Sequence, residues 1–185
     1  AKAPGEAIRY NMLGTHYRQP VDWTDAGLLE AKGIMDTLYL ALRSVQGIEA
    51  DPSEEWPEEL CLVLEDDLNT HSVRGVLRNL ARDLNKATSA EEKSRLKGGL
   101  LAAGNAVGLL QADPEDWFKN SRAGALESDV AGGLRDEKVD ELIAARADAR
   151  AEKNFEQADD IRTQLAEVGV ILEDKPDGST NWRRN

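Results

Sequence analysis

The sequence predicts a mainly α fold, in which an antiparallel helical bundle is followed by a small domain made of a helical hairpin and a short β-hairpin. Three observations predict this fold. Apolar residues recur three and four positions apart over several long segments, a glycine-containing stretch interrupts them at residues 121–133, and two short apolar runs near the end flank a turn sequence. Charged residues make up 31% of the chain and aromatic residues 5%, which is typical of exposed helical surface.

The longest predicted helix begins near residues 22–25, where Thr24 can cap the first turn, and ends at Gly47. Apolar residues form one stripe along it: Leu28, Ala31, Met35, Leu38, Leu42 and Val45. A stripe of this width is stable only when another helix covers it. This segment is therefore predicted to lie in the bundle.

Two further helices are predicted to complete the bundle. One runs from Thr70 or Ser72 to Asn85, and the other begins at Ser89, because Ser89 and Glu92 have the spacing of a capping box. The apolar stripe of the second continues to the next acidic turn: Leu96, Leu100, Ala103, Val107 and Leu110. Each therefore buries one face.

The remaining bundle segments carry weaker patterns. A short helix is predicted from Ala7 to Leu13 and ends before Pro20. The acidic segment that contains Pro52 and Pro57 is predicted as a connection or an irregular helix start.

The chain is predicted to divide into four parts: residues 1–22, a helical bundle at 23–120, a flexible linker at 121–133 and a small carboxyl-terminal domain at 134–185. In the last part, two apolar stripes indicate a helical hairpin that Gly169 ends. The runs that begin at Val170 and Thr180 are predicted as two strands around a turn.

The formal net charge of -12 argues against nucleic acid as a partner, because phosphate binding needs clustered Lys and Arg. The distribution of the charge weakens this objection. Between Gln46 and Leu68 there are nine acids and no base, so much of the negative charge is local. Basic residues near the two ends can contact a polyanion: Arg9, Arg18, Lys175, Arg183 and Arg184.

Several functional classes have no support in the sequence. Cys61 is the only cysteine, so neither an intramolecular disulfide nor a cysteine-rich zinc site can form. Nucleotide-binding glycine motifs and hydrolase nucleophile motifs do not occur, and neither histidine has a nucleophile motif near it. No run of eighteen apolar residues and no apolar leader occurs, so we expect no membrane contact and a cytoplasmic location.

The aromatic and basic residues near the end of the chain are typical of a site that binds single-stranded nucleic acid. The Trp182 ring could stack on an unpaired base while Arg183 and Arg184 contact base edges or phosphates. Alternatively, Trp182 closes a small core and the two arginines are solvated. The spacing of these residues does not decide between the two.

Several segments, taken in order, resemble cysteinyl-tRNA synthetases. The stretch from Glu6 to Thr24, EAIRYNMLGTHYRQPVDWT, resembles the RxxLLSxHYRSPLxFS pattern that follows the KMSKS-type loop of that family. DDLNT at residues 66–70 resembles DDxNTP, with His71 in place of the usual Pro, and LLQADP at residues 109–114 resembles LGLLxxDP. ADDIR, GVILED and GSTNWR, which begin at Ala158, Gly169 and Gly178, resemble the AD.IRxxL and GIxLEDxxxGTxWR ending, with Asn181 as one extra residue.

The resemblance implies a tRNA-binding fragment of a cysteinyl-tRNA synthetase, an enzyme that attaches cysteine to its tRNA using ATP. The family's HIGH and KMSKS signatures are absent from the sequence, so the ATP and zinc sites of the catalytic domain are expected outside this chain. The segment is then non-catalytic and carries no cofactor. Its partners are cysteine tRNA and the catalytic domain of the same polypeptide, and we expect it to be a monomer.

The resemblance also implies which parts contact the tRNA. Residues 1–22 correspond to the end of the segment at the inside corner of the tRNA, residues 23–120 to a helical bundle of the anticodon-binding type, and residues 134–185 to a small anticodon-recognition domain. Positions expected at or near the anticodon are Arg150, Phe155, Asp159, Asp174, Trp182 and Arg183, with Phe155 in place of a frequent Trp. Carboxylates suit this task because they accept hydrogen bonds from the amino and imino groups of unpaired bases.

Two functional classes thus remain. A tRNA-binding fragment fits the resembling segments, whereas a helical protein-interaction module fits the acidic surface and the apolar stripes without RNA. A self-contained enzyme has no support in the motifs.

Overall fold

The structure, a computed structural model, describes residues 3–52, 56–119, 136–174 and 180–184. It divides into an amino-terminal unit, Ala1–Trp117, and a carboxyl-terminal unit, Phe118–Asn185. The predicted linker at 121–133 and the turn at 175–179 lie outside the described residues. Within the described residues, no helix is both long enough and apolar enough to cross a bilayer.

The predicted mainly α fold with a short β-hairpin is confirmed. The helices are α1 (Gly5–Met12), α2 (Asp25–Ser44), α3 (Glu58–Glu65), α4 (Thr70–Lys86), α5 (Ala90–Ala106), α6 (Pro114–Lys119), α7 (Asp136–Ala151) and α8 (Phe155–Glu167). The strands are β1 (Val170–Asp174) and β2 (Thr180–Arg184), which pair antiparallel.

The core of the amino-terminal unit forms where α2, α4 and α5 pack together. Every residue of the stripe predicted for α2 is buried. The caps are also as predicted: the Thr24 hydroxyl accepts from the Gly27 N–H at 3.0 Å, and the Ser89 hydroxyl accepts from the Glu92 N–H at 3.2 Å.

Two details of the bundle differ from the sequence prediction. The acidic segment contains a regular helix, α3, because Pro57 precedes its first turn and Glu58 and Glu59 favour that positive end of the helix dipole. Helix α5 ends at Ala106 and does not reach Leu110. Gly108 and Leu110 have positive φ values of 70° and 58°, so the chain reverses there and Leu110 packs back toward Gly104.

The Glu6 carboxylate holds this reversal in place. It accepts hydrogen bonds from the N–H groups of Leu110 and Gln111 at 2.8 and 3.1 Å, and from the Tyr39 hydroxyl at 2.9 Å. The Arg9 guanidinium donates to the Gly108 carbonyl. Side chains of α1 thus satisfy backbone groups of the reversal that follows α5.

We expect Glu6→Gln to destabilise the amino-terminal unit by about 1–3 kcal/mol. The two carboxylate oxygens of Glu6 accept from three donors, whereas the glutamine amide has only one acceptor oxygen, so at least one donor loses its partner. Chemical denaturation followed by circular dichroism measures this change. Glu30→Gln, an exposed position on α2, is the matched control and should change stability by less than about 0.5 kcal/mol. Equal effects of the two variants would show that Glu6 does not hold the loop.

Candidate nucleic-acid interface

A buried arginine organises the polar surface of the carboxyl-terminal unit. Arg146 of α7 is 6% exposed. Its two Nη atoms donate to the two carboxylate oxygens of Asp174, each at 2.9 Å. The Thr180 hydroxyl donates to the same carboxylate at 2.8 Å. Because Asp174 ends β1 and Thr180 begins β2, this bidentate pair joins α7 to the end of the β-hairpin at which the chain passes from β1 to β2.

The same contacts fix the charge of the Asp174 carboxyl. Hydrogen bonds from Arg146 and then from Thr180 hold its pKa far below the usual range, so it is ionised at neutral pH. The carboxylate in turn raises the pKa of Arg146, to which the nearby charge of Asp159 also contributes. The site is therefore a fixed array of charges.

Arg150 and Asp159 complete a group that we call the Arg146 cluster: Arg146, Arg150, Asp159, Asp174 and Thr180. Arg150 lies one turn beyond Arg146 on α7, with Nη1 3.5 Å from Asp174 Oδ2 and half of its side chain exposed. Asp159 is exposed on α8, and among the described residues its carboxylate has no hydrogen-bond donor. Arg150, Asp159 and the half-exposed carboxylate of Asp174 are therefore the members that solvent, or a ligand, can reach.

The turn between α7 and α8 brings these groups together. Lys153 has a positive φ of 61°, and the Asn154 N–H donates to the Ala149 carbonyl at 2.8 Å, which reverses the chain tightly. The Asn154 side chain then accepts from the Gln157 N–H at 3.3 Å and caps α8. The last turn of α7 and the first turns of α8 consequently lie at the same end of the unit.

Phe155 adds an exposed aromatic ring to this end. It is the first residue of α8, and its side chain is 63% exposed. Asp159 lies four residues further on, so both side chains are on the same helical face. An exposed ring beside a hydrogen-bond acceptor and a guanidinium can stack on an unpaired base and contact its edge.

The Trp182 ring lies in the core of the unit. Trp182 is 3% exposed, packs with Val139, Leu165 and Val170, and donates from Nε1 to Asp140 Oδ1 at 2.7 Å. A ring in this position has no open face for a base. The geometry therefore favours the alternative that the sequence left open, in which Trp182 closes a small core.

Arg183 lies on the other face of the hairpin. Successive residues of a strand point to opposite sides, and Trp182 occupies the side that faces the helices. The Arg183 Nε donates to Glu173 Oε1 at 3.0 Å, and a third of its side chain is exposed. The structure thus brings Arg150, Asp159 and Asp174 together near Phe155, and places Trp182 and Arg183 elsewhere.

Arg146 is the residue that sequence reasoning missed, although a signal was present. The apolar stripe of α7 runs through Val139, Leu142, Ile143 and Ala149, and helical spacing places position 146 on the same face. An arginine inside an apolar stripe needs a hydrogen-bonding partner where its guanidinium is buried. The sequence therefore could have indicated the cation, but not which carboxylate pairs with it.

A second polar group lies in the amino-terminal unit, where two of the resembling segments meet. Asp67, which has a positive φ of 51°, accepts from the Tyr17 hydroxyl at 2.8 Å and from Arg18 Nη2 at 3.3 Å. The Asp67 hydrogen bond is the main cause that raises the pKa of Tyr17. His71 contacts the Gly14 carbonyl through Nδ1 at 2.7 Å. The exposed Tyr17 and Arg18 side chains are thus held beside the start of α4.

The described residues contain no group of three or more His, Cys, Asp or Glu side chains that could hold a metal ion.

We expect Trp182→Ala to destabilise the carboxyl-terminal unit by about 3–5 kcal/mol, because it empties the centre of a small core. Hydrogen exchange of the α7 and α8 amides measures this loss. Trp182→Phe keeps an apolar ring but loses the bond to Asp140, so it should cost about 1–2 kcal/mol. If the α7 and α8 amides of the alanine variant stay fully protected, the Trp182 ring does not support the core.

Two family models match separate parts of the chain. One describes a DALR domain and matches residues 63–111, within the amino-terminal unit. The other describes the cysteinyl-tRNA ligase anticodon binding domain and matches residues 134–183, which include the Arg146 cluster and Phe155.

Relatives that match nearly the whole chain are named cysteine–tRNA ligases, as the anticodon binding model also indicates. The cysteine–tRNA ligase of Paramagnetospirillum magneticum is 50% identical over 184 residues, which are 99% of this chain and 38% of that protein. The cysteine–tRNA ligase of Rhodospirillum rubrum is 48% identical over 99% of this chain and 38% of that protein. The cysteine–tRNA ligase of Caulobacter vibrioides is 38% identical over 97% of this chain and 37% of that protein. The chain thus spans 38% of the length of the first two relatives. It belongs to the cysteinyl-tRNA ligase family, of which it carries the DALR domain and the anticodon binding domain.

Proposed function

We propose that this chain binds cysteine tRNA and reads its anticodon with the surface formed by Phe155 and the Arg146 cluster. One observation carries the proposal: within the part that matches the anticodon binding domain, an exposed ring lies beside a charged cluster with an accessible acceptor and an accessible guanidinium. Unpaired bases are recognised by this combination of stacking and edge contacts.

The members of this surface have different tasks. Phe155 stacks on a base, and Asp159 accepts hydrogen bonds from amino or imino groups. Asp174 accepts bonds from Arg146 and Thr180 and so orients Arg150, and its half-exposed carboxylate can accept a further hydrogen bond from a base. Arg150, held loosely at 3.5 Å, can turn toward a phosphate or a base edge.

The amino-terminal unit supplies a second contact with the same RNA. Tyr17 and Arg18 are exposed, and Asp67 fixes their position. This segment resembles the one that lies at the inside corner of the tRNA. Contacts at two separate regions of one molecule raise the effective concentration at the anticodon.

We further propose that the chain works with a catalytic domain of the same polypeptide, in the cytoplasm and as a monomer. The relatives are named cysteine–tRNA ligases, and the chain covers only part of each. In such a protein the catalytic domain uses ATP and zinc, while this chain's residues bind and orient the tRNA.

Binding of the purified chain to cysteine tRNA, measured by fluorescence anisotropy at low and moderate salt, tests the proposal. We expect affinity to fall as salt rises, because phosphate contacts release counterions, and to fall further when one anticodon base is altered. Equal binding of both tRNAs would show that this chain does not read the anticodon. Absence of binding would favour the protein-interaction alternative.

We expect Phe155→Ala to weaken tRNA binding by about 1–3 kcal/mol through loss of base stacking. Folding should change by less than about 0.5 kcal/mol, because the ring is 63% exposed. Leu29→Ala removes a similarly exposed apolar side chain, 67% exposed, from α2 and is the control. Anisotropy titrations that give the two variants equal affinities would exclude stacking by Phe155.

A further inference from the structure

Basic side chains recur every four residues along α4. They are Arg74, Arg78, Arg82 and Lys86, and this spacing places them on one helical face at intervals of roughly 6 Å. Arg74 is used within the unit, since its guanidinium lies 4.4 Å from the centre of the Tyr10 ring. The other three are exposed.

These three cations line a groove of about 390 Å³ between α2 and α4. Thr37 and Leu38 of α2 form part of its wall, and all the residues that line it are described and include no carboxylate. Arg82 pairs with Asp83 at 3.3 Å. Arg78 and Lys86 have no acidic partner in the described part of the chain.

Arg82 also lines a second pocket together with Glu58 and Glu59 of α3, so Arg78 and Lys86 are the two cations of the groove that no described acid balances, on a chain whose net charge is -12. Like charges on successive turns of one helical face repel one another, and an anion that lies between them removes this repulsion. The row from Arg78 to Lys86 extends over about two helical turns, so it fits a polymer with several phosphates better than a single small anion. The guanidinium fork also matches the geometry of phosphate oxygens.

We propose that the groove between α2 and α4 is a track for the sugar–phosphate backbone of RNA, along which Arg78, Arg82 and Lys86 each face a phosphate. The proposal rests on the proposed function, because the RNA is the same tRNA. It adds a contact surface outside the Arg146 cluster and outside the segment around Tyr17. These contacts recognise the charge of the phosphates and do not depend on the base sequence of the RNA.

The test compares two double variants with the same change of charge. Arg78→Gln with Lys86→Gln alters the groove, whereas Lys93→Gln with Arg95→Gln removes one Lys and one Arg from α5 of the same unit. Affinity for cysteine tRNA is measured as a function of salt, for the unaltered tRNA and for one with a changed anticodon base. Thermal melting checks folding, and Arg78→Gln alone is the second variant if the double variant melts early.

We expect the groove variant to lower affinity on the order of 10- to 60-fold at 0.1 M salt, and to make the slope of log affinity against log salt shallower by about 2. The loss should be equal for both tRNAs, and the single variant should change the slope by about 1. The α5 variant should change the slope much less.

Three outcomes would overturn the proposal. If the unsubstituted chain binds no tRNA, the proposed function fails and the track fails with it. If the chain binds tRNA and both double variants weaken it equally, only the general charge matters and the groove is not the track. If the groove variant loses affinity for one anticodon alone, these residues read bases and do not follow the backbone.

Discussion

The bidentate pair between Arg146 and Asp174 is the constraint on which the carboxyl-terminal unit depends. A buried guanidinium without a partner would cost several kcal/mol, so the end of β1 must lie beside α7. Once the hairpin is fixed there, Trp182 enters the core and the opposite face carries Arg183. Asp174 then holds Arg150 next to the exposed first turns of α8. The candidate surface is thus a consequence of the ion pair that the buried Arg146 makes with Asp174.

The amino-terminal unit uses a carboxylate in a comparable way. Glu6 accepts from two backbone N–H groups beyond the end of α5 and from the Tyr39 hydroxyl, and Asp67 accepts from Tyr17 and Arg18. In each case, a residue distant in sequence satisfies donors that a helix end or a loop leaves unpaired. Some acidic residues of this chain therefore stabilise its fold, which accounts for part of its negative charge.

Sequence reasoning succeeded where a single periodic signal decides the structure. The α2 stripe and the caps at Thr24 and Ser89 depend on local spacing, and all were predicted. The end of α5 was missed because Leu110 continues the apolar spacing, while Gly108 and the distant Glu6 reverse the chain. For the site, the resemblance supplied Arg150, Phe155, Asp159 and Asp174, but not which of them share a surface. That grouping depends on Arg146, whose partner lies 28 residues away.

The net charge of -12 is compatible with binding to a polyanion because many of the acids lie in one run of the sequence, whereas several cations lie on one helical face. The longest acidic run precedes and includes α3, whereas α4 presents three cations along one groove and α7 presents Arg150 at its end. Within about 10 Å, the Debye length at 0.1 M salt, a phosphate responds to the nearest charges and little to the total. In the proposed complex, the remaining acids, including those of α3 beside α4, would repel RNA and so favour the few orientations in which the cations meet the backbone. Net charge therefore limits how the RNA can approach, and the local arrangement decides whether it binds.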